Sequence, residues 1–175
     1  MKKIVFLIAI VMYSLTCMGQ TITLNKTANI NPSKRFEKVN NEQAASFTTK
    51  RLKSDKIALS VINNPDHTYL VDSILVTFFY ENKQVADDHL SQIKKGMDYS
   101  FKKMSSYSSN IEIINNNKIL IIKYQMNNVG YYDFYCYNAD NSKVVSGGLQ
   151  FDVADKGKAG AVLDDILKNI KFAKN

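Results

Sequence analysis

The sequence predicts an α+β domain built on an antiparallel sheet that is covered on both faces, and three observations carry that prediction. The run from Tyr69 to Tyr80 is apolar at consecutive positions, as in Ile74-Leu75-Val76 and Phe78-Phe79, which is how a strand buried on both sides reads. Two stretches repeat apolar residues at helical rather than strand spacing, one over 86–104 and one over 159–170. Between them lie four short β-like runs separated by Asn-rich turns. Connections that short favour antiparallel neighbours.

Taken in order, the chain opens with Met1-Lys2-Lys3, an uncharged apolar stretch Ile4 to Met12, and a more polar tail ending Cys17-Met18-Gly19-Gln20. The apolar stretch is too short for a permanent span, which needs roughly 20 apolar residues. The three-part layout is that of a cleavable secretory signal covering residues 1–19. Cleavage after Gly19 puts small residues at the last and third-last signal positions and makes Gln20 the mature N-terminus. Cys17 has a rival reading as the acylated cysteine of a lipoprotein. Ser14 and Thr16, however, stand where such signals usually carry Leu and a small Gly, Ala or Ser. The expected location is therefore periplasmic or secreted, with a lipoprotein anchored through Cys17 as the alternative.

Residues 20–40 are polar, interrupted by Pro32, and read as a mobile lead-in with a short strand at Thr21 to Leu24. A single domain is expected over 41–175. Within it, Ile57, Leu59 and Val61 alternate as in a strand, and Asn63-Asn64-Pro65-Asp66 supplies a turn. The buried strand 69–80 follows.

Ala86, Leu90, Ile93, Met97, Phe101 and Met104 then form one stripe of a long helix, with Asp87 or Asp88 as its cap. The four meander strands are Ile111 to Ile114, Lys118 to Met126, Tyr131 to Tyr137, and Val144 to Val153. Gly147-Gly148 inside the last of them signals a bulge or a close backbone approach. A C-terminal helix carries Ala159, Val162, Leu163, Ile166, Leu167 and Ile170 on one side, with Asp155 as its cap and Lys168, Lys171 and Lys174 at its positive-favouring end.

Charge and cysteine content exclude several classes. Removing Lys2 and Lys3 with the signal takes the formal net charge from +7 to +5. That charge is nearly all lysine, scattered among acids, with Arg35 and Arg51 the only arginines. Specific nucleic-acid binding favours clustered Arg and Lys on one face, so no nucleic-acid partner is expected. Cys136 is the only cysteine of the mature chain, so the domain stands on packing without an internal disulfide. A lone thiol in an oxidising compartment persists by being buried.

The Phe/Tyr-rich strand ending Phe79-Tyr80-Glu81-Asn82 leads into the long helix. The antiparallel meander follows, with Gly148-x-x-Phe151 in its last strand, and then Ala159-x-x-x-Leu163-x-x-Ile166-Leu167-x-x-Ile170-x-Phe172. Over residues 45–173 this order resembles the PsbP/DcrB-like family of small exported α/β domains. The resemblance implies a twisted antiparallel sheet with helices on both faces. It also implies a non-catalytic accessory role at a membrane or in an envelope complex, with no shared catalytic residues to carry over. An NTF2-like cone is the alternative fold.

No phosphate loop, GxSxG elbow, HExxH or CxxC occurs, and no cofactor is expected. Only His67 and His89 offer a histidine base. Cys136 shares a strand face with Tyr132 and Phe134, which reads as a core position rather than a nucleophile. Asp66-His67 and Asp87-Asp88-His89 invite a metal reading, yet adjacent residues on a helix start point apart and read as a solvated turn and cap. No catalytic or metal-binding residue is therefore assigned.

The surface feature singled out is aromatic. If Tyr132, Phe134 and Cys136 face inward, then Tyr131, Asp133, Tyr135 and Tyr137 share the other face, with Lys123 and Gln125 beside them. Tyr131, Tyr135 and Tyr137 are the candidate binding residues, since tyrosines offer area and a polar tip; the competing reading is that a helix covers them. The expected function is a non-enzymatic exported accessory domain contacting another envelope or secreted protein. The alternative is a carrier with an apolar pocket between sheet and long helix, lined by Met97, Phe101 and Met104.

Overall fold

Where the hydropathy pattern reads as one strand over 69–80, the chain makes a hairpin. In the computed structural model, which describes residues 20–53, 67–104 and 106–174, β4 (Thr68–Val71) and β5 (Ile74–Asn82) are joined by Asp72 and Ser73. Both adopt left-handed φ values, 48° and 66°, as a two-residue primed turn requires. Asp-Ser is an unusual pair for such a turn, which is why the apolar run conceals it.

The earlier elements are β1 (Ile22–Leu24), β2 (Ala28–Ile30), β3 (Glu37–Lys38) and helix α1 (Asn41–Lys50). Helix α1 starts in a reciprocal cap, Asn40 and Gln43 each binding the other's backbone N–H at 2.9 Å. After β5 come α2 (His89–Phe101), β6 (Ser108–Ile114), β7 (Asn117–Met126), β8 (Val129–Tyr137) and β9 (Lys143–Asp152). A short 3₁₀ turn then leads into α3 (Lys156–Asn169) and β10 (Ile170–Phe172). The α+β class and the antiparallel meander stand as expected.

Seven strands form one sheet in the order β3-β4-β5-β9-β8-β7-β6, and β1-β2-β10 form a smaller one. Every pairing is antiparallel. On the first face of the large sheet, Phe78, Phe134, Cys136, Leu149 and Phe151 share a core with α3 and the small sheet. On the second face, α2 packs Leu90, Ile93 and Met97 against Leu120, Ile122, Tyr137 and Val144. Beside it, α1 packs Ala44 and Phe47 against Leu75.

The helices are held unequally. Helix α3 buries five apolar side chains, Ala159, Val162, Leu163, Ile166 and Leu167, whereas α2 fully buries only Leu90. At about 1.5–3 kcal/mol for each large aliphatic side chain, α3 is much the more firmly anchored. Helix α2 relies on polar fasteners instead. Asp98 accepts from Lys94 Nζ at 2.6 Å within the helix, from Tyr107 Oη at 2.7 Å in the segment leading to β6, and from Ser109 Oγ at 2.5 Å, the last tying the helix to the edge strand β6.

Several expectations are corrected. Residues 20–40 are not a lead-in separate from the domain. Ile22, Leu24, Ala28, Ile30 and Phe36 are buried in the main core, and Gln20 clasps the Phe36 backbone through both its amide groups at 2.8 and 2.7 Å. The C-terminal helix stops at Asn169, because Ile170 leaves it to pair with Ile30 of β2; Lys171 and Lys174 therefore lie beyond the helix. Asp88 and Asp155 occupy N-cap positions without making side-chain cap bonds. Of the two readings of Gly147-Gly148, the bulge falls, since β9 runs in unbroken register with both neighbours. The close backbone approach stands, since a Cβ at Gly147 would lie 2.6 Å from the Thr77 carbonyl oxygen. The signal region 1–19 with Cys17, the strand 57–61 and the turn 63–66 lie outside the described residues.

Candidate functional site

The second face of the large sheet is where chemistry collects. Helix α1 covers it near Leu75 and α2 covers it over β6 and β7. Between these footprints the strip is set by register: buried Thr77 of β5 opposes half-buried Gly148 of β9, which opposes half-buried Asp133 of β8. Asp133 is flanked along its own strand by Tyr131 and Tyr135, all three half-buried.

Gly148 shapes the strip. A Cβ at that position would lie 2.9 Å from Asp133 Oδ1, so the carboxyl occupies space that only glycine leaves open. Gly147, one residue earlier, faces the core. A Cβ there would meet the Thr77 carbonyl oxygen at 2.6 Å and the Phe134 ring at 2.7 Å.

An aromatic ladder leads up to the carboxyl. Tyr131 stacks on Tyr124 of β7 at 5.0 Å with the rings 7° from parallel, and Tyr124 meets Phe101 of α2 at 5.0 Å. Phe101 in turn stacks on Tyr107 at 5.9 Å. Burial pushes the Asp133 carboxyl up to about 6, with a hydrogen bond from the Tyr124 hydroxyl pulling the other way. The same burial, with the Asp133 charge nearby, raises Tyr124, Tyr131 and Tyr135 above the ordinary phenol range.

The three tyrosines singled out by sequence share this face, but not one role. Tyr131 lines the strip, and Tyr135 stands at its border, packed against the α2 core. Tyr137 is buried beneath α2, its hydroxyl hydrogen-bonded to His89 Nδ1 at 2.6 Å, so it is a helix-docking residue. Lys123 and Gln125 do not sit beside them. The turn at Asn127-Asn128 pairs Met126 with Val129, which sets Lys123 opposite Tyr132 on the first face, its Nζ 5.2 Å from that ring. Leu120, Ile122 and Tyr124 take the neighbouring places instead. Asp133 was on the expected face but drew no attention; the available signal was one acid inside the otherwise uncharged run Val129 to Tyr137.

The remaining candidates are structural. Cys136 is fully buried and its thiol is pushed up to about 12, which suppresses the thiolate a nucleophile needs. His67 packs edge-on against Tyr80 at 5.4 Å. Asp87 accepts from Asn141 at 2.7 Å and Asp88 from Gln92 at 2.8 Å. Among the described residues, no three His, Cys, Asp or Glu side chains come together as a metal site. Asp66 lies outside those residues. Along the proposed carrier pocket, Met97 packs on the α2 core and Phe101 is taken up in the ladder.

Searches against protein-family models and curated proteins return no match for this chain. Among the described residues, no helix is long and apolar enough to cross a membrane.

A concavity lies on the first face, at the Gly130 end of the meander. It offers about 90 Å³ and is lined by Ser108, Lys123, Gln125, Tyr132, Phe151 and Lys156, among others. That is room for a few waters, small beside the 300–1,000 Å³ or so of ordinary ligand sites.

Proposed function

We propose that this chain is an exported, non-enzymatic binding domain that contacts another envelope or secreted protein through the second face of its large sheet. The observation that carries the reading is the half-buried trio Tyr131, Asp133 and Tyr135 on this face, with Tyr135 at the border of the α2 core. Aromatic side chains presented on a rigid strand bury large area at little entropic cost, which is the usual make-up of an interface anchor. Export is supported by the basic–apolar–polar N-terminus and by the core placement of Cys136, the one cysteine outside the signal region. The resemblance to PsbP/DcrB-like domains supports an accessory role rather than a catalytic one.

The carrier alternative has less support, since Met97 and Phe101 are already committed to packing and stacking. An enzymatic reading lacks a paired nucleophile and base among the described residues.

The test is capture of envelope proteins by purified domain, comparing wild type with Tyr131→Ala/Tyr135→Ala and with Tyr99→Ala. Tyr99 is 82% exposed on α2 and serves as the control tyrosine. One protein held by wild type and by Tyr99→Ala, but released by the double variant while that variant remains folded, is the expected result. Retention by all three would overturn the assignment of this face.

A further inference from the structure

We infer that Asp133 is the receptor for an ammonium group, a lysine side chain that the partner protein inserts between Tyr131 and Tyr135. The inference rests on the binding face proposed above and names what that face recognises.

Three observations converge on it. The ion pairs among the described residues are Lys34–Asp72, Arg51–Asp155, Lys94–Asp98 and Lys158–Asp155, and none of them reaches Asp133. A half-buried carboxylate without a cation is costly, and an incoming cation recovers that cost. The titratable groups that face it are Tyr124 from β7 and Tyr131 and Tyr135 from its own strand. Its opposed neighbours on β9 and β5 are Gly148 and Thr77, neither charged.

The surroundings also select the kind of cation. Ring faces of tyrosines attract ammonium groups through their quadrupoles, and Tyr131 and Tyr135 stand on either side of the carboxyl. The missing side chain at Gly148 is what lets the Asp133 carboxyl lie across β9, its Oδ1 2.9 Å from where a Cβ would stand. A divalent metal needs about six oxygen ligands, and one carboxylate with phenols does not supply them. An anion would meet the Asp133 charge directly. Burial raises the proton affinity of Asp133, and no cation among the described residues pairs with it to offset that rise.

The experiment is a ¹³C-carboxyl NMR titration of the protein, run with Nα-acetyl-lysine methylamide and with its neutral isostere, Nα-acetyl-norleucine methylamide. With the lysine derivative at saturation, the proton affinity of Asp133 is expected to fall about tenfold or more, equivalent to one pKa unit. The norleucine derivative should leave it unchanged. In Asp133→Asn, the lysine-induced shifts of Tyr131 and Tyr135 should disappear while the rest of the spectrum stays folded. An unchanged Asp133 titration, or equal effects from both derivatives, would overturn the inference. If the partner is still lost from Tyr131→Ala/Tyr135→Ala in that case, the binding face survives and only the ammonium is wrong. If the partner is not lost, both readings fall.

Discussion

Gly148 stands directly across the β9–β8 ladder from Asp133, and a methyl group on it would come within 2.9 Å of the carboxylate oxygen Oδ1. Its neighbour Gly147 points the other way, into the Thr77 carbonyl and the Phe134 ring. Two adjacent glycines thus serve different ends, one the site and one the core.

Substitution separates them. In Gly147→Ala the added methyl meets backbone and a ring packed in the core, so a loss of about 2 kcal/mol or more is expected, at the upper part of the overpacking range. In Gly148→Ala only the tip of a flexible side chain must give way, so stability should change by less than about 1 kcal/mol, the level of a tolerated core swap. Urea unfolding of both variants checks this. Equal losses would mean that Gly148 has a packing role as well.

Asp133 makes stability depend on pH in a direction opposite to most carboxylates. Its folded value of about 6 lies above the ordinary aspartate value. A raised carboxyl is penalised once ionised, so its contribution worsens as pH rises from about 4 to about 6. Asp133→Asn removes the titrating group. The variant should match wild type near pH 4 and exceed it at pH 7.5 by up to about 3 kcal/mol, from two pKa units at about 1.4 kcal/mol each. A difference that stays constant across that range would contradict the burial assigned to this carboxyl.

Asp98 behaves the usual way. Hydrogen bonds from Lys94, Ser109 and Tyr107 hold it down to about 2, so its contribution is present above about pH 4 and is lost as pH falls towards 2. Its side chain is 38% exposed. Solvent screening therefore limits the loss in Asp98→Asn to about 1 kcal/mol at neutral pH. Amide exchange should quicken in α2 and leave α3 untouched, because α3 is held by its apolar stripe. Uniform acceleration across both helices would show that Asp98 supports the whole fold rather than this one attachment.

Ammonium recognition carries its own pH signature. Protonation of Asp133 removes the charge that attracts lysine, so affinity for Nα-acetyl-lysine methylamide should fall roughly tenfold for each pH unit below about 6. Binding that is flat between pH 7 and pH 5 would place the recognition elsewhere.

Much of this architecture is legible in the chain because it depends on local patterns. The α3 stripe and the meander follow from apolar spacing. Asn115, Asn116, Asn127 and Asn141 sit at turns with positive φ, as Asn tolerates. The Asp72-Ser73 hairpin is hidden because neither residue interrupts an apolar run strongly.

The small sheet is hidden for a different reason. Strand β2 needs β10 as its second partner, and Ile170 lies far along the chain from Ile30. Tyr131 and Tyr135 could be placed on a common face by alternation alone. The importance of Asp133 could not, because its surroundings come from Gly148 on β9 and Tyr124 on β7, and only the register brings those together.

The most direct test of the binding face is site-specific photo-cross-linking in cells that make the protein, with benzoylphenylalanine at position 135 or at position 113. Tyr135 lines the proposed face, whereas Ile113 is 74% exposed on the edge strand β6. A single discrete adduct from position 135, absent from position 113 and competed away by purified wild-type domain, is the predicted result. The same adducts from both positions, or none from 135, would contradict it.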